Sequence, residues 1–112
     1  MMEQLYRLNE LQAALGESDA VVIYFSNDAC NVCKTLKPRI RELLEEEFPR
    51  VRMIYIDTEK SPAIAGQFRV FTIPTIDIYF TGKEHARFSR NLMISEFEQT
   101  LRRPYDMLFT NA

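Results

Sequence analysis

Six consecutive apolar residues, Ala20-Val21-Val22-Ile23-Tyr24-Phe25, stand in this chain without a polar interruption. A strand with one wet face alternates apolar and polar residues, so an unbroken β-branched and aromatic run suits a strand covered on both faces. Such strands lie at the centre of parallel or mixed sheets. The 112 residues have room for one core of this kind against a prior of about 100 to 200 residues per domain. Residues 1–112 are therefore expected to form a single domain.

Around this strand, helix and strand signals alternate. Leu5-Tyr6-Arg7-Leu8 suits a short edge strand, although Leu5 and Leu8 also fit helical spacing. Asn9 with Gln12 reads as a cap pair opening a helix through Leu11 and Leu15 to Gly16. From Cys33 onward, Leu36, Ile40, Leu43, Leu44 and Phe48 recur at helical intervals between charges, with Pro38 inside expected to bend the axis and Pro49 beyond its end. Residues 51–56 read as the next strand, closed by Asp57, and Ser61-Pro62 as the cap and first turn of a short helix to Phe68. A strand over 76–80, a turn at Thr81-Gly82-Lys83 and a strand over 85–88 form an antiparallel pair. Ser95 with Glu98 reads as a capping box opening a last helix through Phe97 and Leu101. Strands joined through helices run parallel and cross over right-handedly, so the expected class is α/β, a small mixed central sheet with helices on both faces.

Composition excludes some partners. Lys+Arg total 14 against 16 Asp+Glu, a net charge of -2, without the basic excess that phosphate binding demands, so nucleic acid is not expected. No uncharged apolar run approaches the roughly 18 to 20 residues of a membrane helix. The start of the chain carries Glu3 early and lacks a basic segment leading into an apolar stretch, which makes cytoplasm the expected compartment. A domain of this size can fold without disulfides or metal, leaving the two cysteines for chemistry.

Those two form Cys30-Asn31-Val32-Cys33, directly after the buried strand and at the start of the proline-containing helix. At a helix start, unpaired N–H groups and the macrodipole stabilise an anion, so Cys30 is expected to hold a thiolate below the free value of about 8.5. Cys33, one turn further in, is close enough to displace a mixed disulfide. A zinc site needs four ligands, and beyond the cysteines the chain offers the single His85, on the distant hairpin, so zinc would require carboxylates to complete it; no metal and no organic cofactor is expected. A structural disulfide closing so short a loop in a reducing compartment gains little, and chance spacing of two buried cysteines is the remaining plain reading. At a strand-to-helix junction of an αβ chain, the spacing reads as a redox dithiol.

In order and spacing, Val22-Ile23-Tyr24-Phe25-Ser26, Cys30-Asn31-Val32-Cys33-Lys34, Pro38, Ile56-Asp57 and Ile73-Pro74-Thr75 resemble the thioredoxin family over nearly the whole chain. The resemblance implies a thioredoxin-like fold, a cis bond at Pro74 beside the cysteines, and pairing of the Ile73 backbone with the substrate chain. It also exposes departures. Ala29 stands where the family carries tryptophan, and Asn31-Val32 where it has Gly-Pro. Tyr24 and Met53 occupy the places of a buried aspartate and its lysine partner, and Arg90-Asn91 replaces a glycine after the last strand. Asp28 and Asp77 are the nearest acids in sequence to serve as proton acceptor for Cys33; the plainer readings are a solvated loop acid and a hydrogen-bonded strand acid.

The expected function is thiol–disulfide exchange on protein substrates, with Cys30 as nucleophile, Cys33 as resolving thiol, and Ile73 with Pro74 forming the substrate-binding edge. Electrons would arrive from a reductase or another dithiol protein. The alternative is a binding module or assembly factor of the same fold with incidental cysteines, favoured by the missing tryptophan and buried acid. Arg50, Arg52, Arg102 and Arg103 read as solvated charge. Tyr105, Met107, Leu108 and Phe109 beyond Pro104 either pack back onto the domain or offer a docking surface.

Overall fold

The computed structural model describes residues 2–110, with the side chains of residues 31–33 outside that description. The elements are β1 (Met2–Gln4), α1 (Leu8–Glu17), β2 (Ala20–Ser26), α2 (Asn31–Glu47), β3 (Arg52–Asp57), α3 (Pro62–Gln67), β4 (Thr75–Phe80), β5 (Lys83–Phe88) and α4 (Ile94–Phe109). They build one sheet in the order β1-β3-β2-β4-β5. Strand β3 runs parallel to both β1 and β2, whereas β4 is antiparallel to β2 and β5 to β4. The expected mixed α/β class is the one found.

Every residue of β2 is buried, and its two faces feed two cores. Ala20, Val22 and Tyr24 join Ile40, Leu44 and Phe48 of α2 and Phe97 and Leu101 of α4, while Val21, Ile23 and Phe25 join Leu11 and Leu15 of α1 and Ile64 of α3. The strand lacks alternation because neither face meets water. Each such large side chain contributes about 1.5–3 kcal/mol by burial.

The first strand lies earlier than residues 5–8. Its register runs from Met2↔Met53 to Gln4↔Tyr55, one further bond joins Leu5 N–H to the Tyr55 carbonyl at 3.2 Å, and the chain then turns into α1. The expected Asn9/Gln12 cap is displaced by Glu10, whose carboxylate accepts the N–H groups of Arg7 at 3.1 Å and Tyr6 at 3.4 Å. A charged acceptor is the stronger one. Pro62 does open α3, but Ser61 directs its hydroxyl to the Tyr6 carbonyl at 3.0 Å, tying α3 to the chain before α1. Helix α4 starts at Ile94 with Met93 as its cap residue. Ser95 therefore falls inside the first turn, no capping box forms, and Glu98 instead meets Arg102 at 3.3 Å.

Both α2 and α4 continue across an internal proline, Pro38 and Pro104, each losing one helical hydrogen bond. Beyond Pro104 the helix packs back in part. Tyr105 is buried and its hydroxyl accepts the Arg50 N–H at 3.2 Å, Phe109 lies against Tyr105 at 4.7 Å, and Met107 and Leu108 stay exposed. Two arginines expected to be solvated are ties instead, because their long stems reach acids on neighbouring elements. Arg52 binds Glu3 and, at 3.2 Å, the Ser18 hydroxyl, while Arg102 pairs with Glu47 at 2.7 Å above the Phe48 ring.

The β4–β5 turn places Thr81 at φ 51 and Gly82 at φ 81, the left-handed pair whose twist matches the strands. The ladder pairs Phe80↔Lys83 and Tyr79↔Glu84 but then Ile78↔Ala86 and Asp77↔Arg87, so His85 is an extra residue, a bulge. Gly82→Ala is expected to cost about 1–2 kcal/mol, since a Cβ is strained at this φ. Its added Cβ would stand 3.4 Å from the Leu15 carbonyl oxygen. Urea unfolding should show a lower midpoint with an unchanged slope; an unchanged midpoint would mean the turn relaxes freely.

Candidate active site

The sheet's geometry gathers the carboxyl ends of β2 and β3 and the amino end of β4. Ser26 lies beside Asp57 and Phe25 beside Thr75, and the Thr58 N–H binds the Ser26 carbonyl at 2.8 Å. The loop leaving β2 is folded on Asn27, whose Oδ1 accepts the Ala29 N–H at 2.9 Å and whose carbonyl accepts the Cys30 N–H at 3.3 Å. Half-buried Cys30 therefore stands immediately before α2. Cys33 belongs to the first turn of α2, and its side chain lies outside the described residues.

A cavity of about 120 Å³ opens beside Cys30, bounded by Ser26, Asp28, Lys34, Lys37 and Tyr55. The Lys37 ammonium sits 3.8 Å over the Tyr55 ring, a cation–π arrangement. Burial holds Lys37 below its ordinary pKa, Arg41 adds to that effect, and Asp28 opposes it. Tyr55 stacks on fully buried Tyr24 with ring centroids 6.3 Å apart. Burial, then Tyr55, pushes the Tyr24 phenol above the usual tyrosine range. Burial also raises Tyr55, with Asp57 adding to it and the Ser26 hydroxyl opposing it. Position 24 thus holds a neutral phenol rather than an acid. Asp28 borders the cavity but is solvent-exposed, 3.6 Å from Lys60, as a solvated loop acid would be.

Asp77 belongs to the opposite side of the sheet. Its neighbours Ile76 and Ile78 point into the α2/α4 core, while Tyr79 joins the α1/α3 core with Ile23, the cross-strand partner of Asp77. It is therefore not placed to take a proton on the α2 side. Its carboxylate, 0% exposed, receives Arg87 through two bonds, Nε to Oδ1 at 2.7 Å and Nη2 to Oδ2 at 2.8 Å. Burial raises the Asp77 pKa and Arg87 opposes the rise. Arg87 also donates to the carbonyls of Phe68 at 2.7 Å and Arg69 at 3.0 Å, fastening the end of α3 to the hairpin.

The segment that follows α3 carries exposed Phe71, half-buried Ile73 and buried Pro74, and the Ile73–Pro74 bond is cis. The Thr75 hydroxyl donates to the Thr72 carbonyl at 2.7 Å. Because Thr75 is the partner of Phe25, this segment ends at the same end of the sheet as the Cys30 loop. The residues missed in the sequence are Lys37, Tyr55 and Arg87. Among the described residues, no group of three or more His, Cys, Asp or Glu side chains is placed to hold a metal ion, and no helix is long and apolar enough to cross a membrane.

The thioredoxin family model matches residues 5–103. Over 104 residues the chain is 30% identical to the thioredoxin-like protein YdfQ of Bacillus subtilis, covering 93% of this chain and 92% of that protein. Over 70 residues it is 39% identical to a thioredoxin of Chlamydia trachomatis, covering 62% and 68%. The crystal structure of thioredoxin from Trypanosoma brucei brucei shares the fold with a TM-score of 0.83 at 24% identity, over 96% of this chain and 91% of that one. Oxidised mitochondrial thioredoxin 3 of Saccharomyces cerevisiae does so at 0.77 and 24%, over 88% and 94%. A family model matched over residues 5–103 and a relative 30% identical over 93% of the chain agree with the sheet order: this chain belongs to the thioredoxin family.

Proposed function

We propose that this protein reduces disulfides in protein substrates through Cys30 and Cys33. The supporting observation is the position of Cys30, half-buried at the entrance to α2 beside Lys34 and Lys37, where the helix start and the two cations favour a thiolate. That thiolate attacks one sulfur of the substrate disulfide. The S–S bond breaks, the departing sulfur leaves as a thiolate that takes a proton from water, and a mixed disulfide remains. Cys33, deprotonated, then attacks the Cys30 sulfur and expels the second substrate thiolate, so two electrons pass to the substrate and a Cys30–Cys33 disulfide remains. Ile73 and Pro74 form the substrate edge in this reading, the Ile73 backbone pairing with the bound chain. A reductase or another dithiol protein returns the electrons, and a reducing compartment such as the cytoplasm gives the net direction.

Tyr24 in place of a buried acid favours a second reading, a binding module that captures partners without turnover. Insulin reduction with dithiothreitol as electron source separates the two. The wild type should accelerate precipitation of the freed chains and Cys30→Ser should not; equal rates with and without Cys30 would overturn the proposal.

A further inference from the structure

We infer that the dithiol selects disulfides carrying negative charge, through a basic rim made by Lys34, Lys37, Arg39 and Arg41 of α2 and Arg90 of the β5–α4 connection. The inference rests on the exchange chemistry proposed above and adds the substrate class. Helix α2 segregates its charges, with these four cations between Lys34 and Arg41, Glu42, Glu45, Glu46 and Glu47 all following them, no acid in its first turn and no base in its last. That order runs against the macrodipole, which favours acids at the start and bases at the end. Helix stability therefore does not explain it.

Two concavities carry all of the rim but Arg41, which lies one turn beyond Lys37. One holds Cys30 with Lys34 and Lys37. The other, of about 340 Å³, lies between α2 and the β5–α4 connection and is bounded by Thr35, Arg39 and Arg90. Lys34, Arg39 and Arg90 are exposed, and among the described residues none of them is in a salt bridge. The acids nearby are engaged, Asp28 with Lys60 at 3.6 Å and Glu59 with the Asn27 amide at 3.4 Å. The whole chain carries a net charge of -2, so an anionic substrate gains nothing from overall charge. Its attraction comes from the local field at the rim, which raises the encounter rate.

The test mixes pre-reduced, desalted protein with oxidised glutathione (anionic), cystamine (cationic) or hydroxyethyl disulfide (neutral), following thiol release in single turnover. These probes differ in leaving-group acidity, so the readout is the salt dependence of each rate between about 0.01 and 1 M, over which the Debye length shrinks from about 30 to about 3 Å. The glutathione disulfide rate should fall by about tenfold or more, the cystamine rate should rise and the neutral rate should stay flat. In an Arg39→Glu, Arg90→Glu double variant, both charged slopes should shrink or change sign, while the neutral probe reports any change in the nucleophile itself. Equal slopes for all three disulfides, or slopes unchanged in the double variant, would overturn the charge selection and leave exchange standing. If none of the three is reduced, exchange itself fails and the selection with it.

Discussion

Cys33→Ser is expected to accumulate covalent adducts with disulfide-bearing proteins, and Cys30→Ser is not. The asymmetry follows from order of attack, since Cys30 stands before α2 at the mouth of a cavity and Cys33 lies within the helix. Once Cys30 has formed a mixed disulfide, a neighbouring thiol clears it as an intramolecular reaction, with effective molarities that reach about 10⁵–10⁸ M for well-oriented groups. A serine at position 33 cannot displace sulfur. The adduct then persists until an external thiol finds it, a lifetime longer by orders of magnitude. Non-reducing electrophoresis after incubation with cell extract should show high-mass bands for Cys33→Ser that collapse with reductant. Equal trapping by both variants, or by neither, contradicts ordered exchange and favours the binding module.

What could be read from sequence was what local spacing encodes. The unbroken run before Ser26 announced a central strand because both of its faces are apolar, and the same run followed by helical spacing placed Cys30 at the strand-to-helix junction where the structure has it. Capping was harder, because several polar residues near each helix start compete for the same N–H groups. Glu10 won through its charge, where Asn9 offered a better residue type. The Lys37–Tyr55 contact joins α2 to β3, so no single-element periodicity signals it. Arg87 was hidden for a more specific reason. A regular two-residue hairpin at Thr81-Gly82 sets Asp77 opposite Ala86, and only the bulge at His85 shifts the register to bring Arg87 alongside.

Arg87→Ala should cost about 2–4 kcal/mol at neutral pH, toward the lower end of the loss when a buried ion pair is broken from one side, because Asp77 is buried while Arg87 is partly exposed. Asp77, wholly buried, would keep its desolvation cost without the two bonds that offset it, and the carbonyls of Phe68 and Arg69 would lose their donor. The pH dependence has a definite sign. Burial already raises the folded-state pKa of Asp77, and Arg87 is the group that restrains it. Without Arg87 the folded pKa climbs further above the unfolded value of about 4. Between those two values the folded state binds more protons than the unfolded chain, so stability rises as pH falls through that window. The variant should be weakest at neutral and alkaline pH and recover on mild acidification. Asp77→Asn combined with Arg87→Ala should flatten that dependence. Urea titrations from about pH 5 to 8 decide it, and a variant whose loss is independent of pH would contradict a buried, unpaired carboxylate as the cause.

Disulfide reduction by the Cys30–Cys33 pair is tested most directly by a stoichiometric single turnover without external reductant. Pre-reduced protein is mixed with oxidised insulin, quenched with acid, alkylated and analysed by peptide mass spectrometry. The expected result is two new insulin thiols for each protein molecule that becomes resistant to alkylation, with the protein's two missing hydrogens located in one peptide that links Cys30 to Cys33. Insulin that stays oxidised while both cysteines remain alkylatable would contradict it.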